Sequence, residues 1–321
     1  MNKGQPFMPD VSVILAVYNV ESYIERCLHS LFGQTLSDIE YIFVDDGSTD
    51  GSVAAIYSVL DQYPHRKGMV KVLHHERNCG VAAARTTGIH AASGKYVIHC
   101  DPDDWVEPDM YEKMYTRAVE TDADIVACYH WLNDWVAAYD LPNTPQRCLQ
   151  DMIRNRYRYV HLVTKLVRRS LIIEHDIVPF TGIDYAEDLN CMVRTYYWAK
   201  SISVVKEPLY HYCTHTNSVS TSESYLRNFK ARAENVKQIC EFFERQNDHR
   251  YDTLCNYLKF QLKFEFRSSI ADDRQWFDWY RECHKDILKF DENSLKSRII
   301  LYVALQNYAI YRFMKKFVAG L

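Results

Sequence analysis

Lys95-Tyr96-Val97-Ile98-His99-Cys100-Asp101-Pro102-Asp103-Asp104 is the stretch on which the reading turns. Its first half has the build of a buried strand, and it ends on three carboxylates within four residues. On open α/β sheets, ligands bind beyond the carboxyl ends of the strands, so acids placed there carry weight. A second acidic pair is placed the same way. Tyr41-Ile42-Phe43-Val44 reads as a strand and runs into Asp45-Asp46-Gly47-Ser48, turn chemistry with a helix start behind it.

Around these two turns, short apolar runs alternate with helical patterns, which predicts an α/β fold with crossover helices. Val11 to Val17 is the first strand, and Asn19 suits a helix N-cap, with Val20, Ile24, Cys27, Leu28 and Leu31 on one apolar face. Met69 to Leu73 is a third strand, Asn78 to Ala92 a glycine-interrupted helix, and Ala123 to Tyr129 a fifth strand. Pro108 is expected in the first turn of the helix that follows the acidic run. The middle, from Trp131 to about Thr181, is less regular, and beyond Ser224 the pattern turns helical and rich in Tyr, Phe and Lys. The boundary is placed near 220, giving a first domain over 1–220 and a helical C-terminal region over 221–321.

Carboxylates so closely spaced suit magnesium or manganese, hard cations that bridge one or two protein carboxylates to substrate phosphates. A departing diphosphate needs such help, because departure loads negative charge onto its oxygens. Taken alone, the run fits equally a solvated turn at the start of the helix near Pro108. Asp45 and Asp46 suit hydrogen bonds to a ribose or a base edge, or a plain turn. The first turn, Ala16 to Glu21, contains no glycine, so the phosphate-cradling G-x-G-x-x-G of dehydrogenases is absent, as is G-x-x-x-x-G-K-[ST]. A Rossmann oxidoreductase and a P-loop enzyme are both disfavoured.

The 321 residues, 47% hydrophobic and 25% charged, suffice for a buried core. A formal net charge of −4 offers no overall basic field for nucleic acid. The ten cysteines include no C-x-x-C pair and read as buried free thiols of a reducing cytosol, not a zinc site or a disulfide framework. Met1 to Asp10 lacks the build of a signal peptide. Ile299 to Met314, the nearest candidate for a membrane span, is interrupted by Gln306, Asn307 and Arg312. The expectation is a cytoplasmic protein, soluble or lying on a membrane surface.

Five stretches in order resemble the family 2 glycosyltransferases of the GT-A fold. They are Val11 to Asn19, Ser30 to Thr35, Val44 to Gly51, Asn78 to Arg85 with Gly88-Ile89, and Gly94 to Asp104. The resemblance covers roughly residues 10 to 220, and implies a Rossmann-like mixed sheet flanked by helices. It places Asp46 against the base of a nucleotide-sugar donor, with Asp45 and Val17 in the same pocket and Arg85 near the nucleotide. It makes Asp101 and Asp103 the D-x-D pair, Asp103 the more direct ligand of Mn2+ or Mg2+ and Asp101 nearer the ribose, with Asp104 a further ligand or a support. An arginine on a helix face also commonly pairs with a surface carboxylate.

Inversion at an anomeric carbon needs a base for the acceptor hydroxyl's proton. The family's base lies in a Glu-Asp pair at a helix start, and Ala186-Glu187-Asp188-Leu189 matches it, preceded by Lys165 to Leu171 and Phe180-Thr181-Gly182. The resemblance assigns the base to Asp188, with Glu187 orienting it or touching the acceptor. Acids at a helix start also simply stabilise its dipole. In Leu209 to Ser220, Cys213 and His215 stand where relatives often carry arginines. His215 is expected on a phosphate or the metal, a weaker clamp than two arginines. Arg154 to Tyr159 reads as an acceptor surface or a solvated helix face, and Ile299 to Phe317 as a membrane-surface helix or one packed on the body.

The function expected is inverting transfer of a sugar from a nucleoside-diphosphate sugar, a UDP-sugar, to a saccharide or lipid-linked saccharide in surface or exopolysaccharide synthesis. The competing class is a non-catalytic nucleotide-sugar or carbohydrate-binding protein that keeps the fold. The acidic run and the Glu-Asp pair speak for the enzyme; the altered loop at His215 speaks for the module. A nucleotidyltransferase would need a glycine-rich basic loop that Tyr18-Asn19 does not supply.

Overall fold

The computed structural model describes residues 9–138, 140–155, 157–214, 225–265, 267, 272–290 and 294–316, with 155, 157, 158 and 225–227 described by backbone alone. The chain forms two compact units, Met1–Arg147 with Val160–Ser218, and Cys148–Tyr159 with Val219–Leu321. In chain order the strands and helices of the first part are β1 (Val11–Val17), α1 (Ile24–Phe32), β2 (Ile39–Asp45), α2 (Ser52–Leu60), β3 (Val70–His74), α3 (Val81–Ala91), β4 (Tyr96–His99), β5 (Trp105–Val106) and α4 (Met110–Thr121). There follow β6 (Ile125–Leu132), β7 (Trp135–Ala137), α5 (Pro145–Asn155), α6 (Tyr157–Val160), β8 (Lys165–Arg168), α7 (Arg169–Glu174), α8 (Glu187–Trp198) and β9 (Ile202–Tyr212).

Nearly every residue of β1 and all of β2 are buried. Strands covered on both faces read as unbroken apolar runs, which is why β1 was legible from end to end. The sheet has nine strands in the order β3-β2-β1-β4-β8-β6-β9-β5, with β7 pairing β6. Strands β3, β2, β1 and β4 are mutually parallel. The chain steps outward from β1 to β3 and then returns to β4 on the other side of β1, so a crevice opens where the order reverses. Beyond β4 the sheet is mixed: β8 is antiparallel to β4 and β6, β9 runs parallel to β6, and β5 closes antiparallel on β9.

The glycine inside α3 has a packing reason. A Cβ on Gly88 would lie 2.3 Å from Cγ2 of Ile14, so only glycine lets this helix seat on β1. Two expectations are corrected. Asn19 is not a helix cap: α1 begins at Ile24 with Tyr23 at the cap position, and Asn19 has φ 51°. The residue type that caps helices also tolerates the left-handed region. Asn19 uses it to tie two loops together, its Oδ1 accepting the Thr49 amide at 2.9 Å and its own amide donating to Ser48 Oγ at 3.2 Å. Pro108 precedes α4 instead of entering it, and its carbonyl accepts the Thr35 amide at 2.9 Å.

The second unit contains α9 (Tyr225–Arg245), α10 (Asp252–Glu265), α11 (Asp273–Asp278), α12 (Leu295–Leu305) and α13 (Tyr308–Met314). Its aromatic richness forms a core around Trp276, Phe277, Phe260 and Tyr311. Lys263 lies inside that core, donating to the carbonyls of Phe277 at 2.8 Å and Trp279 at 2.6 Å. Burial pushes its ammonium down to about 8. Among the described residues, no helix is long and apolar enough to cross a membrane.

Candidate active site

Because β1, β2 and β4 are parallel neighbours, their carboxyl ends bring Val17, Asp45, Asp46 and the Asp101–Asp104 turn to one edge of the sheet. The Asp46 amide donates to the Val17 carbonyl at 2.8 Å, continuing the β1–β2 pairing into the crevice. Asp45 is buried; burial pushes its carboxyl up, yet hydrogen bonds from Ser48 and His74 hold it below the ordinary value. Asp46 is more fully engaged. Its Oδ1 faces His75 Nδ1 at 2.6 Å and accepts the Cys79 amide at 2.9 Å, while Oδ2 accepts the Gly80 amide at 2.8 Å. This carboxylate therefore fixes the loop that leads into α3.

Gly80 has φ 94°, and a Cβ there would lie 2.2 Å from the Asp184 carboxylate. Asp184 accepts the Ala82 amide at 3.1 Å in the first turn of α3, so it satisfies one of the orphan donors of that helix start. The loop that leads into Glu187 and Asp188 at the start of α8 is thereby pinned to the helix that carries Arg85.

Arg85 is the hub of the site. Its side chain is 8% exposed, and it donates from Nη2 to Asp101 Oδ1 at 3.0 Å and from Nη1 to Glu187 Oε1 at 2.5 Å. Burial works against its charge, but Glu187, then Asp101 and Asp188, outweigh it and raise the guanidinium above its usual value. Burial pushes Glu187 up to about 7, with Asp188 adding to the rise and Arg85 opposing it. Asp188 is also raised, chiefly by burial, against the pull of Arg85 and of the Leu189 amide that donates to its Oδ1 at 2.8 Å. Just before this pair, Ala186 has φ 61°, a left-handed conformation rare for a residue with a side chain.

Within the acidic turn, the three carboxylates have different surroundings. The Asp101 side chain is 35% exposed and Asp103 is half-buried. Asp104 is buried, with Oδ2 accepting the Tyr210 hydroxyl at 2.5 Å and Oδ1 the Cys213 amide at 2.7 Å. Burial, reinforced by Asp101, pushes it up to about 8. Both of its oxygens are thus committed to β9 and the residue after it. Asp101 and Asp103 offer hard, accessible oxygens that fit Mn2+ or Mg2+. Asp46, His75 and Cys79 also converge, with ligand atoms within 4.8 Å of one another. That mixed oxygen, nitrogen and sulfur set suits softer ions, and its carboxylate is already occupied by two amides. His215 lies outside the described residues, as do the side chains of Asn155 to Arg158 in the aromatic-basic stretch.

The acids could be read from their spacing, but Asp184, His75, His99 and Tyr210 join the site without a local signal. His99 lies in β4 with its Nδ1 lacking a hydrogen-bond partner among the described residues, and burial with the nearby Arg85 pushes it down to about 3. A histidine within an apolar strand, two residues before the first carboxylate, was the available hint.

A GT-A fold is what this architecture defines. The structure of S. aureus TarS 1–349 in complex with UDP-GlcNAc superposes with a TM-score of 0.67, covering 96% of this chain and 90% of that one at 20% identity. A family model described as glycosyl transferase family 2 matches residues 12–170. The uncharacterized glycosyltransferase YibD of Escherichia coli (strain K12) is 30% identical over 275 residues, 80% of this chain and 77% of that protein. The putative glycosyltransferase EpsH of Bacillus subtilis (strain 168) is 36% identical over 221 residues, 66% of this chain, and the chain spans 62% of its length. The chain belongs to glycosyl transferase family 2.

Proposed function

We propose that the protein is an inverting, metal-dependent glycosyltransferase that moves a sugar from a nucleoside-diphosphate sugar, with UDP as the carrier, to a saccharide hydroxyl. The observation that carries this reading is the single guanidinium of Arg85 held between Asp101 and Glu187. It joins a donor-side carboxylate to a Glu-Asp pair at the start of α8, so both sides of the transfer meet on one side chain.

Asp101 and Asp103 would hold Mn2+ or Mg2+, which neutralises charge on the departing diphosphate. Asp104, committed to Tyr210 and Cys213, supports the turn and β9 in this scheme. Asp45, Asp46 and Val17 shape the nucleotide pocket, with Asp46 acting through the loop it fixes as well as through any edge it offers. Asp188 takes the proton of the acceptor hydroxyl as its oxygen bonds to the anomeric carbon and the bond from that carbon to the diphosphate breaks. A carboxyl raised by burial is a better proton acceptor than an ordinary one. Glu187 is tied to Arg85 and orients the pair.

The acceptor we assign is a growing cell-surface polysaccharide or exopolysaccharide, carried on a lipid. Leu295, Ile299, Val303 and Phe313 are exposed apolar residues of α12 and α13, with Lys315 following. They support peripheral contact of the 221–321 helical region with the inner face of a membrane. The S. aureus TarS 1–349 structure is a complex with UDP-GlcNAc, which supports a uridine carrier here.

A nucleotide-sugar panel read by thermal shift, with and without Mn2+, tests the donor site. A ligand that binds only the folded state raises its melting temperature. UDP-sugars should raise it in Mn2+, and Asp103→Asn should remove the Mn2+-dependent part of the shift. An equal shift in EDTA contradicts the metal assignment.

A further inference from the structure

Trp105 of β5, His211 of β9, Trp131 of β6 and Val136 of β7 are partners in register, one row across four strands. Successive side chains of a strand point to opposite faces, so this row occupies the face opposite Tyr210, which binds Asp104. The rings are stacked: His211 lies 3.3 Å from Trp105 and 5.8 Å from Trp131 between centroids, each at 12°. Glu107 Oε1 lies 2.7 Å from His211 Nε2 and fixes the imidazole, and the Arg26 guanidinium lies 4.2 Å from the Trp105 ring centroid. Trp105, His211 and Trp131 of this row line an open groove of about 550 Å³, together with Asn133 and Asp134 of the β6–β7 turn and Tyr212.

The proposed transfer chemistry uses none of this row, yet the groove and the carboxylate cluster share a wall. Tyr212 lines the groove, and its phenol is pushed up by burial and then by Asp104, Asp101, Asp103 and Asp188. Cys213, also on the groove, donates its amide to Asp104.

We propose that this groove binds sugar units of an oligosaccharide acceptor beyond the one that receives the transferred residue. The inference rests on the transferase reading, since a chain-extending acceptor needs a track leading away from the anomeric centre. Trp105 is covered by His211 and Arg26, so Trp131, at the other end of the stack and on the groove, is the ring left to meet the apolar C–H face of a pyranose. The surrounding guanidinium, carboxylate and amide match its hydroxyl rim. An acyl chain would leave Arg26 and Asp134 desolvated without partners. The mixed signs of those charges give no preference to a polyanion. The volume falls within the ~300–1,000 Å³ common for small-molecule clefts.

The test titrates the full chain by calorimetry with hexasaccharides of glucose, N-acetylglucosamine, galactose and mannose, each against its monosaccharide. At least one hexasaccharide should bind about tenfold or more tighter than its monomer, and Trp131→Ala should weaken it about tenfold, the usual loss of a central aromatic anchor. Arg26→Ala removes an exposed side chain that leaves the core untouched, and should weaken the same hexasaccharide without changing UDP binding. If no hexasaccharide exceeds its monomer, or if both variants bind as the wild type does, the inference falls. Loss of UDP binding in Arg26→Ala also overturns it, by assigning the groove to the donor. Nucleotide-sugar turnover alongside a silent groove removes this inference and leaves the transferase reading; oligosaccharide binding without turnover does the reverse.

Discussion

Arg85 illustrates how one side chain sets the electrostatics of the site. Its guanidinium is buried with two carboxylates on it, and removing one partner of a buried pair leaves the other charge without compensation. Arg85→Met should therefore destabilise the protein by roughly 3–5 kcal/mol. Arg85→Lys should recover part of that stability, but a single ammonium cannot fork between Asp101 and Glu187, so turnover should stay at least ~100-fold down. Urea denaturation and nucleotide release measure the two effects; an Arg85→Met protein with an unchanged denaturation midpoint contradicts this role. At this scale the sequence marked Asp101, Asp103, Glu187 and Asp188 as closely spaced acids at a strand end and a helix start, a local pattern that fits a turn or a helix dipole equally, and the family resemblance is what gave them roles. The sequence was silent on Asp184 and His75. Each acts through a contact far away in the chain, Asp184 on Ala82 and His75 on Asp46, and a single sequence records no such pairing.

At the scale of elements, the join between the 180s loop and α8 holds the strain of the site. Ala186 is left-handed at φ 61° directly before Glu187, and a side chain in that region costs roughly 1–2 kcal/mol. Ala186→Gly relieves this, while glycine's freer unfolded chain takes back roughly 0.4–1 kcal/mol. The expected net is a gain of roughly 0–1.6 kcal/mol in urea, whereas Ala186→Val should lose stability. A Gly variant less stable than the Val variant contradicts the strain. The same scale shows what periodicity can and cannot tell. The strand β1 was readable in full because both faces are buried. The start of α1 was misplaced because Asn19 satisfies a cap rule and a loop-tying role with the same side chain. The predicted helix from Asn78 begins only at Val81, since Asn78 to Gly80 are held as a loop by Asp46.

Over the whole molecule, each unit keeps a histidine neutral in its interior. Burial, aided by Lys165, pushes His161 down to about 4 in the first unit. Burial, aided by Lys263, pushes His284 down to about 4 in the second. The unfolded chain takes up these protons near the ordinary value of about 6.5, while the folded chain takes them up only near 4. At these two histidines the unfolded state thus binds more protons across that window, and each withdraws roughly 1 kcal/mol of stability by about pH 5.5. Glu187 and Asp104, raised to about 7 and about 8, take up protons in the folded state over the same range and oppose that loss. Melting curves of the wild type and His284→Asn at about pH 7.5 and 5.5 check this: the variant should fare better on acidification relative to the wild type, and an identical pH response contradicts it. In the mechanism proposed for this molecule, the cluster joined by Arg85 transfers a sugar, with Asp188 as the base. The most direct measurement is nucleotide release from UDP-sugars in Mn2+ with saccharide acceptors, comparing wild type with Asp188→Asn and reading the product's anomeric configuration by NMR. This mechanism predicts turnover by the wild type with inversion, a loss of ~100- to 10,000-fold in Asp188→Asn, and donor binding unchanged. Wild-type protein that binds UDP yet releases none from any UDP-sugar, or an Asp188→Asn enzyme that keeps full turnover, contradicts it.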